Sequence, residues 1–164
     1  RGVNDDEVPA LVAFARGRGH TMRFIEYMDV GTCNAWDAAR VVPSAELRDA
    51  IHARWPLHAL DPQYRGEVAA RYGFDDGAGE VGFVSSISAP FCGDCHRARV
   101  SADGRLFTCL FAADGADLRP WLRDDGDFDR RLAALWHARA DRYSELRAGL
   151  RAPLKRVEMF LVGG

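Results

Sequence analysis

Residues 5–28 read DDEVPALVAFARGRGHTMRFIEYM, and this stretch decides the fold class. In its first half the apolar residues recur at helical spacing, at Val8, Leu11, Val12 and Phe14. Gly17 and Gly19 end that pattern, and the segment from Thr21 to Met28 then predicts a β-strand that ends before Gly31. A helix, a short turn and a strand form one αβ step of a parallel architecture, so we predict an α/β fold.

The rest of the chain predicts further helices and strands without an internal repeat. Pro43 and Ser44 are expected to cap a helix that continues to about Arg54, where Trp55-Pro56 ends it. The other predicted elements are strands near 68–74 and 80–86, helices at about 117–123 and 127–148, and a strand at 157–162.

Composition indicates a globular protein with a real core. The 164 residues are 48% hydrophobic and 28% charged, with a formal net charge of −2, which excludes a disordered chain and predicts one domain or slightly more. The near-neutral charge argues against a protein that coats nucleic acid, and no apolar run is long enough for a membrane span. The sequence shows no targeting segment, and it begins at Arg1, without Met, in a polar, loop-like stretch, so we expect it to be a piece of a longer protein.

The cysteines are concentrated in one region. The segment Pro90–Arg99 reads PFCGDCHRAR, so Cys92 and Cys95 form a C-x2-C pair, and Cys109 follows after 13 residues. Four cysteines in the whole chain are too few for a disulfide scaffold. This clustering predicts a metal site in a reducing compartment.

A hairpin is expected to bring the third sulfur back to the pair. Strands at 97–101 and 105–109 are joined at Ala102-Asp103-Gly104, which suits a three-residue loop with Gly104 in the left-handed conformation. In that register Arg97 faces Cys109. A two-residue turn would instead place Ala98 opposite Cys109.

Two metal sites are compatible with three thiolates. A structural zinc site needs four ligands, so Cys33 or His96 would complete it. A [4Fe–4S] cluster held by three cysteines would leave one iron open. The alternative to both is a set of buried free cysteines, and the spacing alone does not choose between zinc and iron–sulfur.

Two arginines lie beside the cysteines on one face of the first hairpin strand. Arg97 and Arg99 are two residues apart, so their guanidinium groups project together and suit a phosphate or carboxylate. The alternative is a pair of solvent-facing arginines, because Lys155 is the only lysine among 22 basic residues.

Several short patterns, in this order, resemble the GTP 3′,8-cyclase (MoaA) family of radical S-adenosylmethionine (SAM) enzymes in molybdenum cofactor synthesis. The resemblance covers essentially the whole chain, as the C-terminal half of a family member. The patterns are RGVNDDE at 1–7, RFIEYMDVG at 23–31, GFVSS at 82–86, C-x2-C-x-R-x-R with its C-x13-C spacing, SADG at 101–104, DRYSE at 141–145 and the final GG.

The resemblance implies a fold in two parts. Residues 1–40 would be the last αβ unit or units of an incomplete (β/α)6 barrel. Residues 41–164 would be a C-terminal α+β region that carries the cysteine hairpin and the second [4Fe–4S] site of the family.

The resemblance also implies a function. The chain would be the GTP-binding part of a lyase that converts GTP to (8S)-3′,8-cyclo-7,8-dihydroguanosine 5′-triphosphate in the cytoplasm. The cluster with an open iron would be bound by Cys92, Cys95 and Cys109. The residues that would bind GTP are Arg23, Arg97, Ala98 and Arg99. Met28 would contact SAM, and the tail residues Gly163 and Gly164 would lie in the active site. The expected partners are GTP and SAM, with a homodimer as the candidate assembly and without nucleic acid or membrane.

One family motif is absent from this sequence. A second [4Fe–4S] cluster, bound by C-x3-C-x2-C, cleaves SAM in the family, and we expect it in an upstream half, so this chain alone should not generate the radical.

Glu26, Tyr27 and Asp29, around Met28, are predicted to serve packing or capping. The alternative function is a non-catalytic zinc module that binds a nucleotide or RNA.

Overall fold

The computed structural model describes residues 1–123, 126–147 and 157–161, which fall into two units. The first unit comprises residues 1–28 and 36–95, and the second comprises residues 29–35 and 96–164. The division at residue 40 that the family resemblance implies stays a prediction.

The first unit contains a mixed four-stranded sheet with two helices. Its strand order is β1-β4-β3-β2, in which β1 runs parallel to β4 and the other neighbours are antiparallel. The elements are α1 (Val8–Arg18), β1 (Met22–Ile25), α2 (Ser44–Arg54), β2 (Leu57–Ala59), β3 (Ala70–Phe74) and β4 (Glu80–Val84). A mixed α/β fold is therefore confirmed, although β1 and β4 form the one parallel pair of this sheet, and β2 was not predicted.

Local signals account for the ends of α1. Pro9 lies in its first turn, where its missing N–H costs nothing. Gly19 adopts a φ of 68°, and the amide of His20 donates to the carbonyl of Ala15 at 2.9 Å. This left-handed glycine cap is the reason why the helix stops where the sequence predicts.

The core of the first unit lies between its sheet and its helices. The buried residues Val8 and Val12 come from α1, Ile51 from α2, and the others from β2, β3 and β4, namely Leu57, Phe74, Val81 and Phe83. Phe83 packs against the rings of Phe24 and Tyr72. Aromatic packing thus joins the three strands β1, β3 and β4.

In its described residues, the second unit contains a small antiparallel sheet and two helices. The strands β5 (Arg99–Val100), β6 (Arg105–Phe107) and β7 (Ala116–Asp117) are arranged in that order. The helices are α3 (Phe128–His137) and α4 (Tyr143–Leu146).

Several sequence predictions for the second unit are wrong. The predicted helix at 117–123 is replaced by the end of β7 and a 3-10 turn at Trp121–Arg123, because Pro120 has no N–H for a longer helix. The predicted helix at 127–148 is interrupted between α3 and α4. Of the predicted strand at 157–162, residues Met159–Leu161 form a 3-10 turn and residue 162 lies outside the described part.

Within the described ranges, no helix combines the length and the apolar character that crossing a membrane requires.

Candidate functional site

The C-x2-C pair lies on a short turn after β4. Cys92, Gly93 and Asp94 form a 3-10 turn, and the amide of Cys95 donates to the carbonyl of Cys92 at 3.2 Å. Both cysteines are half-buried thiols that take no part in a disulfide. The guanidinium of Arg65 pairs with Asp94 at 2.8 Å, so a charge contact holds the turn from outside.

The segment that leads into this turn is held by a buried carboxylate. Glu26 is 3% exposed and accepts from the backbone amides of Ile87 and Ser88, each at 2.8 Å, and from the Ser88 hydroxyl at 2.5 Å. It also accepts from the amide of Ser44 at 2.8 Å, and so it caps α2 in place of the predicted Pro43–Ser44 cap. Of the packing or capping roles predicted for Glu26, the structure shows capping.

These hydrogen bonds determine the charge state of Glu26. Burial raises the pKa of this carboxyl group, but the hydrogen bonds from Ser88, Ser44 and Ile87 outweigh burial and bring the pKa below its ordinary value. Glu26 is therefore a carboxylate at neutral pH.

The predicted three-residue hairpin loop is present. Arg99 pairs with Phe107 and Val100 with Leu106, and the amide of Gly104 donates to the carbonyl of Ser101 at 2.9 Å. Gly104 has a φ of 81°, the left-handed conformation that the loop requires. The ladder is shorter than predicted, however, and Arg97 and Cys109 lie beyond its last pair.

The arginine segment shows the burial pattern of a strand. Arg97 and Arg99 are half-buried, whereas Ala98 between them is exposed. The two guanidinium groups therefore belong to the same, less exposed side of the segment.

Cys109 lies in a turn that other residues of the second unit support. Its Sγ accepts a hydrogen bond from the amide of Phe111 at 3.4 Å. Its neighbour Thr108 donates its hydroxyl to Asp141 at 2.6 Å.

The structure assigns the three predicted ligands to different units. Cys92 and Cys95 belong to the first unit and Cys109 to the second. Among the described residues, no group of three or more His, Cys, Asp or Glu side chains is close enough to hold a metal ion. Cys33 and His96, the alternative zinc ligands, are both exposed.

The other predicted site residues are found at the end of the large sheet or outside the described part. Arg23 lies in β1 opposite Gly82 and lines an open cavity of about 370 Å³ that Arg1 and Arg40 also line. Met28 is half-buried and follows β1 rather than lying within it. Gly163 and Gly164 lie outside the described residues.

Asp29 has a packing role, as predicted for the residues around Met28. It is 3% exposed, accepts from the Tyr143 hydroxyl at 2.7 Å and pairs with Arg147 at 2.9 Å. The sequence gives no signal for Tyr143 and Arg147 as its partners, because more than a hundred residues separate each of them from Asp29 along the chain.

Comparisons with known proteins identify relatives along the whole chain. Residues 20–145 match the family described as Molybdenum Cofactor Synthesis C. Over 165 aligned positions the chain is 61% identical to a GTP 3′,8-cyclase of Xanthomonas axonopodis pv. citri, covering 100% of this chain and 49% of that protein.

More distant relatives carry the same name. A GTP 3′,8-cyclase of Synechococcus sp. (strain CC9605) is 50% identical, covering 100% of this chain and 47% of the relative. One of Acidothermus cellulolyticus is 54% identical, covering 90% of this chain and 43% of the relative. The chain thus spans about half the length of the curated relatives that it matches.

Proposed function

The chain belongs to the Molybdenum Cofactor Synthesis C family, and on this premise we propose that it is the GTP-binding C-terminal half of a GTP 3′,8-cyclase. The reaction is the conversion of GTP to (8S)-3′,8-cyclo-7,8-dihydroguanosine 5′-triphosphate, with SAM as the radical source. The observation that carries this proposal is the end-to-end similarity to relatives that have this name.

The ligands that we propose for a [4Fe–4S] cluster are Cys92, Cys95 and Cys109. The chemistry of these donors fits the cluster, since all three are half-buried thiols outside any disulfide and the Cys109 sulfur accepts a backbone N–H. When bound, a cluster with three protein ligands supplies an open iron to which a purine can bind.

The arginines are proposed to bind the triphosphate. A guanidinium group forms forked, charge-assisted hydrogen bonds with phosphate oxygens, and Arg97 and Arg99 share the less exposed side of their segment. Ala98 between them completes the proposed GTP-contacting segment, and Arg23 adds a third positive charge from β1. Holding a flexible nucleotide in one orientation lowers the entropic part of the barrier.

The remaining assignments come from the family resemblance. We propose that residues 1–40 end an incomplete (β/α)6 barrel, that Met28 contacts SAM, and that Gly163 and Gly164 reach the active site as a flexible tail. The SAM-cleaving cluster belongs to the upstream half that the relatives contain. The whole enzyme is proposed to act in the cytoplasm, with a homodimer as the candidate assembly.

An anaerobic turnover assay tests this function. The protein, with the upstream half that its relatives contain, is incubated with GTP, SAM and a reductant, and the products are separated and identified by mass spectrometry. We expect a cyclised nucleotide with the wild type and with Cys33→Ala, and none with Cys109→Ala. Intact GTP in all three reactions, with SAM cleaved normally, would contradict the proposal.

A further inference from the structure

The carboxylate of Glu158 is hydrogen-bonded to the loop that follows β1. Its Oε1 accepts from the amide of Thr32 at 2.7 Å and from the Thr32 hydroxyl at 2.6 Å. The side chain and backbone of Cys33 add further hydrogen bonds to the same carboxylate. One surface glutamate is thus bound by several donors of one loop, an arrangement that selects an anion.

Gly31 makes room for this carboxylate. Its φ is 71°, and a Cβ built on it would lie 2.1 Å from the Glu158 Oε2. The loop therefore fits Glu158 only because residue 31 has no side chain.

The loop that receives Glu158 is itself fixed within the second unit. Asp29, two residues before Gly31, is the buried partner of the Tyr143 hydroxyl and of Arg147. The Tyr143 ring stacks on Phe111 with 4.6 Å between centroids. A buried charge pair and an aromatic contact make this loop a firm attachment point.

The residue before Glu158 contacts the turn that contains Cys109. The amide of Val157 donates to the carbonyl of Ala112 at 3.3 Å, and the amide of Ala112 donates to the carbonyl of Cys109 at 3.2 Å. Residues 157 and 158 are therefore held by two attachments, one to the Cys109 turn and the other to the Gly31–Cys33 loop.

We propose that Glu158 is a positioning residue, whose carboxylate anchors the C-terminal segment to the Gly31–Cys33 loop and so sets where the terminal residues start. Residues 159–164 can span at most about 20 Å beyond Glu158 when extended. A displaced anchor would therefore move Gly163 and Gly164 away from the active site that they are proposed to reach. The effect of Glu158 on the reaction rests on the proposed function, whereas the hydrogen-bonded anchor does not.

Hydrogen exchange tests the anchor without any need for activity. In the protein with its upstream half, Glu158→Ala should raise amide exchange at Thr32 about fivefold and should speed carboxypeptidase removal of the last residues. Glu158→Gln, which keeps one acceptor oxygen, should show a smaller change. Gly31→Ala should reproduce the effect, because its Cβ would displace the carboxylate. Glu46→Ala is the matched control, since it removes a surface glutamate paired with Arg1 in the first unit.

Kinetics then test the positioning role. We expect kcat to fall about tenfold in Glu158→Ala and less in Glu158→Gln, with the KM for GTP and the iron content unchanged. Unchanged exchange at Thr32 would overturn the anchor, and faster exchange with normal kcat would overturn its role in the reaction. A wild-type protein without cyclase activity would contradict the proposed function, while the exchange data would still decide on the anchor.

Discussion

Replacing Glu26 by alanine removes the acceptor on which two parts of the first unit depend. The carboxylate is 3% exposed and accepts hydrogen bonds from Ser44, at the start of α2, and from Ile87 and Ser88, after β4. The Ser88 hydroxyl contributes a fourth bond, at 2.5 Å. Alanine would leave three backbone amides and one hydroxyl without this acceptor.

The size of the effect follows from the number of donors. An unsatisfied buried donor costs about 1–3 kcal/mol, and part of that cost is recovered when water enters the space left by the side chain. We therefore expect Glu26→Ala to lower the free energy of unfolding by about 3–5 kcal/mol. Glu26→Gln keeps the shape and one acceptor oxygen, and the Ser88 hydroxyl can turn to accept from the new amide. Its expected cost is about 1–3 kcal/mol.

Urea unfolding at pH 7, followed by circular dichroism, measures these differences. Glu46→Ala is the control and should change the free energy of unfolding by less than about 0.5 kcal/mol, because its ion pair is exposed. A Glu26→Ala variant as stable as this control would refute the assigned role.

The pH dependence provides a second check of Glu26. The pKa of Glu26 in the folded protein lies below its ordinary value, so its carboxylate stabilises the fold above about pH 4. That stabilisation is lost as the pH falls through the lower folded pKa. The difference between wild type and Glu26→Gln should therefore shrink on acidification below pH 4, and a difference that stays constant would contradict the hydrogen-bond account.

Three further predictions concern the second unit. Gly104→Ala should destabilise the protein by about 1–2 kcal/mol in urea unfolding. The reason is that φ at residue 104 is 81° and the new Cβ would lie 3.0 Å from the Arg119 Cγ. Unchanged stability would contradict the loop geometry. Arg97→Ala should weaken GTP binding about tenfold in calorimetry with the iron content preserved, and an equal loss of iron would show a structural role instead. Arg130 and Arg131 lower the pKa of Asp127 to about 2, so Asp127 should stabilise the start of α3 above about pH 4 and lose this effect as the pH falls towards 2. Asp127→Asn should remove that acid-dependent loss of helical circular dichroism, and an unchanged acid profile would contradict it.

Local backbone requirements explain which elements could be predicted. Gly19 and Gly104 both adopt positive φ, and each marks a boundary that the sequence analysis predicted. Such signals depend on the residue and its immediate neighbours, and α1 and the β5–β6 hairpin need little else.

Elements that depend on competition between local preferences were predicted less well. The apolar spacing after residue 127 continues through the break between α3 and α4, but at Asp141 side-chain contacts with Thr108 and Arg139 replace a continuous helix. The short strand β7 was not predicted, because its two residues are too few to show an alternating pattern. It forms through its hydrogen bonds with the neighbouring strand β6.

The site shows the same division between local and distant signals. The C-x2-C turn and the two arginines could be recognised from spacing alone. The hydrogen bonds of Glu26 with Ser88 and of Glu158 with Thr32 could not, because 62 and 126 residues separate the partners. Acceptors of this kind become visible only when the chain is folded.

The central claim is that Cys92, Cys95 and Cys109 hold a [4Fe–4S] cluster whose open iron receives the guanine of GTP. Its most direct test is anaerobic reconstitution of this chain, followed by metal analysis and electron paramagnetic resonance with and without GTP. The account predicts about four irons per chain, a spectrum that changes when GTP is added, and loss of the iron in Cys109→Ala but not in Cys33→Ala. One tightly bound zinc without iron uptake, or an iron spectrum indifferent to GTP, would contradict it.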